Sequence, residues 1–459
     1  MPSLATSFGR SLRRAALAAL PFLGSTALAE EIPQPTSGST PAAENAGDQP
    51  LLGDWGGLRS ALASYGLTFG VSETSEVLGN LTGGFRRGAI YEGLADANLQ
   101  WDLQTAFKWP GVAFVRAFQI HGRGLSIDNI GNLMTASSIE ALPSTRLFEL
   151  WYEHYVSDKV QVKIGQQAAD QEFLVSTTSR LFINATFGFP TLPAADLPSG
   201  GPAYPLGTPA VRLQLNPSDE LVLLAAVFNG DPSGPGTVAP QARNASGIAF
   251  RTDDGLLAFF EAQYNPDSSP QNGTFKIGTW FHSGRFANQR FDTTGQSLAS
   301  PLSTGVARRI DKNYSLYGVI DQPLWQASEA DSSLAGFLRV MGAPGDRNLV
   351  DFYFDTGLAY KGPFGRTDDT VGVGFAYARI GSAARSLDRD RAAITPGYPV
   401  RSREMLLEVS YQSQLMPWWQ LQPTFQYVFN PGGGLPNPNA PGRTISNAAI
   451  LGLRTKVTF

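Results

Sequence analysis

The chain has 459 residues, only 16% of them charged, and a formal net charge of -4, so no basic surface points to nucleic acid as a partner. Its 42% hydrophobic content and mean hydropathy of -0.12 match an average soluble protein and not a bundle of apolar helices. Cysteine is absent, which removes disulfides and thiolate metal sites and fits an exported bacterial chain. The 49 Gly, 32 Pro, 28 Phe, 14 Tyr and 8 Trp favour strands and tight turns over helices.

Taken in chain order, Arg10, Arg13 and Arg14 precede the apolar run Ala15 to Leu23, and Ala27-Leu28-Ala29 follows. That pattern predicts a cleaved secretory signal over residues 1–29. The run is about half the roughly 20 residues a membrane-spanning helix needs. Residues 30–50, EEIPQPTSGSTPAAENAGDQP, are rich in Pro, Ser and Ala and predict a disordered linker. Over 51–66, Leu58, Leu62 and Tyr65 recur at helical spacing behind Asp54, a candidate cap, so a short helix is expected. A plain turn is the alternative, because Gly56 and Gly57 weaken a helix.

From residue 67 onward the pattern is dyad. In ADANLQWDLQ, Ala95, Ala97, Leu99, Trp101 and Leu103 alternate with Asp96, Asn98, Gln100, Asp102 and Gln104. GTFKIGTWFHS, VDFYFDTGLAY and WWQLQPTFQYVF behave alike. Such alternation suits a soluble sandwich as well as a membrane barrel. The connections separate the two. Sixteen candidate strands run from 67–77 to 446–459, with an extra candidate at 245–252. Short links (KWP, SD, NPS, QLMP) fill every second gap, and long gaps at 122–144, 168–206, 229–255, 284–312 and 381–403 lie between them. This predicts an all-β fold: a transmembrane antiparallel β-barrel of about 16 strands over 67–459, with the 51–66 helix on its periplasmic side. Phe459 shares a face with Val457, Leu453 and Leu451, as on a closing, lipid-facing strand.

Parity assigns the lumen. With apolar faces toward lipid, the inward strand positions include Glu149, Trp151, Glu153, Lys163, Arg212, Glu261, Lys276, Trp280, His282, Arg339, Asp351 and Asp355, together with Asp96, Asp102, Glu408, Arg454 and Lys456. Both signs occur, unlike the single-sign ring of an ion filter. Trp151 between Glu149 and Glu153, and Trp280 beside Lys276 and His282, join aromatic faces to charged hydroxyl partners, a combination suited to sugars. These residues also read as ordinary hydrated wall. A sixteen-strand lumen is wide, so the aromatic-rich loop 168–206 is expected to fold inward, with Arg180, Asp170 and Glu172 as polar contacts; its aromatics read equally as pins against the wall. Arg86 and Arg87 suit either the pore, reached from the first loop, or lipopolysaccharide phosphates outside, the second being favoured. Three His, no Cys, no G-x-S-x-G and no H-E-x-x-H leave little for catalysis. No cofactor or metal site is expected.

The segment LLGDWGGLRSALASYGLTF at 51–69 resembles the opening of OprB-type carbohydrate-selective porins. FELWYEHY at 148, KIGQQAADQEF at 163, LYGVIDQPLW at 316, QPTFQYVFNPGG at 422 and the closing GRTISNAAILGLRTKVTF follow in the order seen in that family, and the likeness spans nearly all of the chain after the linker. The resemblance implies an outer-membrane channel of a Gram-negative bacterium that admits glucose-like mono- or disaccharides by facilitated diffusion. A general porin is the alternative, and a barrel hydrolase a more remote one. A terminal Phe also resembles the signal read by the barrel-assembly machinery. Association of several copies is compatible with the sequence.

Overall fold

Alternating side chains make each segment a ribbon with one dry and one wet face, and sixteen such ribbons close on themselves. The computed structural model describes residues 50–269, 272–327, 332–440 and 442–459; the expected signal peptide and all of the linker except Pro50 lie outside the described residues. A short helix α1 (Leu58–Ala63) leads into β1 (Leu67–Gly84), followed by β2 (Gly88–Asp102), helix α2 (Leu103–Phe107), β3 (Gly111–Gly122), β4 (Ser144–Ser157), β5 (Val160–Gln167), helix α3 (Thr191–Asp196), β6 (Thr208–Leu215), β7 (Leu221–Asn229) and β8 (Leu256–Tyr264). The second half is β9 (Thr274–Asp292), β10 (Ala307–Gln326), β11 (Ser333–Gly342), β12 (Val350–Lys361), β13 (Thr370–Ile380), β14 (Arg403–Met416), β15 (Trp419–Phe429) and β16 (Ser446–Thr458). Each strand pairs antiparallel with the next, and β16 pairs back onto β1 from Ser72↔Thr458 to Gly84↔Ser446. No edge is left open.

All sixteen expected strands are present. Three local expectations change. Residues 245–252 form no strand; they belong to the connection 230–255, where the Ser246 carbonyl accepts from Leu147 N. The expected 284–312 gap is mostly strand, since β9 and β10 run on as a projecting hairpin joined only by 293–306. There both faces carry charge, as in the Arg285–Asp311 pair at 2.9 Å, so alternation disappears from the sequence while the ladder continues. Finally, β2 stops at Asp102. Its carboxylate accepts from Gln104 N at 2.9 Å and Thr105 Oγ1 at 2.6 Å, so Asp102 caps α2 instead of serving the lumen wall.

At the short-turn end, Gly56 and Gly57 adopt φ of 68° and 96°, a left-handed turn open to glycine, and thereby aim the chain into α1. Asp54 accepts from Ser60 N and Ser60 Oγ, both at 2.8 Å. Arg59 donates to Phe69 O at 2.9 Å and Phe459 O at 2.5 Å, tying α1 to the seam where β1 meets β16.

The turn 362–369 shows how the same end is held. The Asp369 carboxylate accepts from Arg366 Nε at 2.5 Å, Tyr411 OH at 2.6 Å, Ser413 Oγ at 3.1 Å and Gln414 N at 3.1 Å. Burial alone would raise its pKa, but these donors hold it at about 2. A depressed carboxylate contributes stability fully present above the ordinary pKa of about 3.9 and lost as the pH falls through the folded value. Thermal unfolding followed from about pH 5 to pH 2 should therefore show a loss that Asp369→Asn removes; an unchanged acid slope in that variant would contradict the assignment.

Candidate functional site in the barrel lumen

The connection 168–207 leaves β5 and turns into the barrel. Its aromatics drive this. Phe173, Phe182 and Phe187 are buried against wall residues, with Phe173 5.1 Å from Phe259 and Phe182 6.1 Å from Phe337, ring to ring. Burying three such side chains contributes roughly 1.5–3 kcal/mol each. The facing wall is bare where they land: a Cβ at Gly374 would stand 2.7 Å from Phe187 Cζ, and one at Gly372 2.5 Å from Leu181 Cδ2.

Polar side chains of the wall then pin the loop backbone. Glu408 accepts from Ile183 N at 2.7 Å and Asn184 N at 3.0 Å. Glu261 accepts from Leu174 N at 2.9 Å and Tyr317 OH at 2.8 Å, and Lys276 donates to Val175 O at 2.8 Å. Arg339, wholly buried, pairs with Asp355 and donates to the carbonyls of Leu174, Thr186, Phe187 and Gly188 at 2.9–3.0 Å. Glu172 of the loop joins Lys163 and Arg212, and Arg212 also reaches Glu153 at 2.6 Å. Burial would raise the Glu172 carboxyl, but Lys163 and Arg212 hold it at about 2.

Seven of the thirteen residues expected to meet solute, namely Lys163, Arg212, Glu153, Glu261, Lys276, Arg339 and Asp355, are thus parts of the loop's attachment. Trp151 and Trp280, expected as sugar platforms, are covered. Trp151 is 4% exposed, stacked on Phe114 at 4.8 Å with the Lys163 ammonium 4.3 Å from its ring. Trp280 is 0% exposed within the apolar cluster around Phe173 and Phe259. His282 is buried with Nε2 2.8 Å from Gly230 O, Asp351 binds Arg379 at 2.6 Å and Ser382 N at 3.0 Å, and Glu149 is buried opposite Arg116 in the ladder. Of the thirteen, Arg180 alone lines the open cavity.

That cavity, of about 820 Å³, lies between the loop and the inner face of β1–β3. Arg116 spans its wall, with Nε 3.0 Å from both carboxylate oxygens of Asp96, Nη2 2.5 Å from Oδ2, and Nη1 3.4 Å from Gln171 Oε1. Beside this pair sits an aromatic group: Phe118 lies 4.8 Å from Phe148 and 5.5 Å from Tyr204, and the Arg116 guanidinium 5.1 Å from the Phe118 ring. Phe189 and Arg180 of the loop line the same space.

The family described as carbohydrate-selective porin, OprB family, matches residues 86–459. The chain belongs to this family. It is similar to Porin B of Pseudomonas aeruginosa, 24% identical over 438 residues that cover 89% of this chain and 91% of that protein. It is also similar to the putative porin QuiX of Acinetobacter baylyi, 24% identical with 90% and 93% covered. Among solved structures, OprB of Pseudomonas putida at high pH superposes with a TM-score of 0.79 at 22% identity, over 91% of this chain and all of that one; at that identity the likeness speaks for the fold. The protein is therefore a carbohydrate-selective porin of the Gram-negative outer membrane, and its eight connections on one side, the long ones among them, against seven short turns on the other orient its α1 end to the periplasm.

Sequence reasoning missed much of the porin's cavity wall. Arg116, Phe114 and Phe118 belong to β3, whose inward positions are Val112, Phe114, Arg116, Phe118 and Ile120. An inner face that is apolar apart from one arginine is itself the missing signal: it marks a strand against which something packs from within. Phe148 escaped because a bulge opposite Arg116/Ala117 turns both Phe148 and Glu149 inward. The connection 123–143 also folds in, with Ser138 N donating to Ile183 O at 2.8 Å and Ala185 N to Thr135 O at 3.0 Å, so two loops, not one, narrow the bore.

Proposed function

We propose that glucose-like mono- and disaccharides pass down their gradient through this cavity, and that the Arg116–Asp96 pair with Phe118, Phe148, Tyr204 and Phe189 is where they are handled. The observation that carries the reading is that a planar charged pair and a bank of rings face the same open space. Guanidinium and carboxylate offer donors and acceptors in a fixed fork for vicinal hydroxyls. Ring faces favour the C–H side of a pyranose and offer an amino acid or inorganic ion little. Opposite charges held together leave little net field, so neutral solutes cross without an electrostatic barrier. Passage also needs weak contacts, and hydroxyl exchange with water keeps them weak.

We read the protein as a channel without catalysis. Diffusion needs no bond made or broken; His121 and His154 lie on the outer wall, and His282 is tied to Gly230 O. Three further proposals concern its surroundings. Residues 1–29 direct export and are removed. Phe459, whose N donates to Val71 O at 2.9 Å, is read by the barrel-assembly machinery. Arg86 and Arg87, at the external tip joining β1 to β2, meet lipopolysaccharide phosphates; the exposed Arg86 lies 3.6 Å from Asp128, a pair that phosphate can open.

Liposome swelling tests the transport reading. Vesicles holding the porin should swell faster in glucose or maltose than in an amino acid of comparable size, and equal rates would make it a general porin.

A further inference from the structure

The lipid-facing surface is dented between β6 and β10. The ladder sets Leu213, Ala225, Phe260, Thr279 and Leu316 side by side in one outward row. The next outward row, nearer the short turns, is Leu215, Leu223, Ala262 and Ile277. Each row dips where an alanine stands among large neighbours, and the two dips, Ala225 and Ala262, are diagonal neighbours on β7 and β8. Thr279 Oγ1 donates to Ser315 O at 2.7 Å, so its hydroxyl is satisfied by the adjoining strand and asks nothing of the outside. The result is a groove of about 420 Å³. Phe260, Ile277 and Leu316, 50%, 71% and 66% exposed, stand proud as its ridges.

Depth fixes the leaflet. At the short-turn end β7 begins at Leu221, β8 ends at Tyr264 and β9 begins at Thr274, so Ala225, Ala262 and Ile277 all lie within a few residues of that end. At about 3.3 Å per residue on a tilted strand this is the periplasmic half of the apolar band. Tyr264 and Phe275, paired in register and both exposed, close the groove there, as an aromatic girdle does at a membrane interface. The rim beyond them is acidic. Asn265 N donates to Glu220 O at 2.8 Å and Asn216 N to Lys159 O at 2.9 Å, which draws three neighbouring turns together. They carry Asp158, Asp219, Glu220 and Asp267 against Lys159.

We propose that the groove is a binding site for one phospholipid of the periplasmic leaflet, an acyl chain lying between the ridges and a zwitterionic, ethanolamine-type head at the acidic rim. An ordinary belt lipid touches the wall from one side. A chain in the groove meets protein on three, and each added contact contributes dispersion. The volume falls within the range of about 300–1,000 Å³ that small-molecule sites occupy. Charge selects the head: carboxylates in excess attract an ammonium and repel a head that is anionic overall, while Lys159 suits the phosphate. Lipopolysaccharide occupies the opposite leaflet and does not reach this depth. The site lies outside the bore and does not rest on the transport reading.

Native mass spectrometry tests it. Porin extracted from outer membranes in mild detergent and stripped of lipid is offered phosphatidylethanolamine and phosphatidylglycerol with the same acyl chains. One phosphatidylethanolamine should stay bound at collision energies that remove detergent, several-fold in preference to phosphatidylglycerol. Ala225→Leu with Ala262→Leu raises the groove floor and should lower that adduct several-fold. Ala97→Leu adds the same kind of bulk on the outward face of β2 and should leave it unchanged. Both variants should keep the heat-modifiable band of a folded barrel, and the titration of the unsubstituted porin depends on neither. Equal retention of the two lipids, an adduct indifferent to the double substitution, no adduct at all, or a bound lipopolysaccharide would each overturn the proposal.

Discussion

Arg339→Met yields a barrel that conducts more current and discriminates sugars less. Arg339 is the wholly buried centre of the loop's attachment, bound at once to Asp355 and to four carbonyls of the connection 168–207. Removing it leaves Asp355 charged and buried, with Tyr353 OH at 2.9 Å as its remaining donor, and strands those carbonyls. Breaking such a pair costs about 3–5 kcal/mol. The sixteen-strand ladder does not depend on it, so the barrel persists while the loop loses its hold and the bore widens. Single-channel recording should show a larger step, and the heat-modifiable band should convert at lower temperature. Arg339→Met with Asp355→Leu removes both charges and should regain stability without regaining the narrow bore. An unaltered step in both variants would show that the aromatic contacts alone fix the loop.

The second large effect falls on Arg116. Arg116→Ala deletes the guanidinium that holds Asp96 and reaches Gln171 in the open cavity, leaving a carboxylate with no counter-charge from that side. A hydrogen bond to a charged group contributes about 1.5–3 kcal/mol. Sugar block should weaken roughly ten- to hundred-fold, by the same magnitude, while the uncovered Asp96 makes the channel more cation-selective. Current-noise titration with glucose measures the first and reversal potential in a salt gradient the second. Trp151→Ala and Trp280→Ala, by contrast, should leave the blocking constant close to that of the unsubstituted porin, since neither ring reaches the cavity.

The architecture was legible because a barrel's only requirement on its strands is a period of two with turns at fixed sides. WWQLQPTFQYVF and VDFYFDTGLAY show that period plainly, and each forms the strand expected of it. Legibility failed where a second layer intervenes. Parity correctly turns Trp280 and Arg339 inward, but it carries no information on whether a loop lies over them, so residues suited to touch solute touch Phe173 and Thr186 instead. The inner face of β3 was passed over for the converse reason: Phe114 and Phe118 look like lipid-facing residues by chemistry, and only the register shows that they face in. Phe148 needed the bulge. In the β9–β10 hairpin, polar and charged residues on both faces, such as Arg285 and Arg290, erased the alternation that a membrane enforces.

This barrel is a sugar-selective channel narrowed by its inward loops. Single-channel conductance of the refolded protein in a planar bilayer, titrated with glucose, maltose and an amino acid of similar size, tests it most directly. Discrete steps that the sugars block and the amino acid does not are expected. Steps indifferent to sugar, at the conductance of an unobstructed sixteen-strand pore, would contradict it.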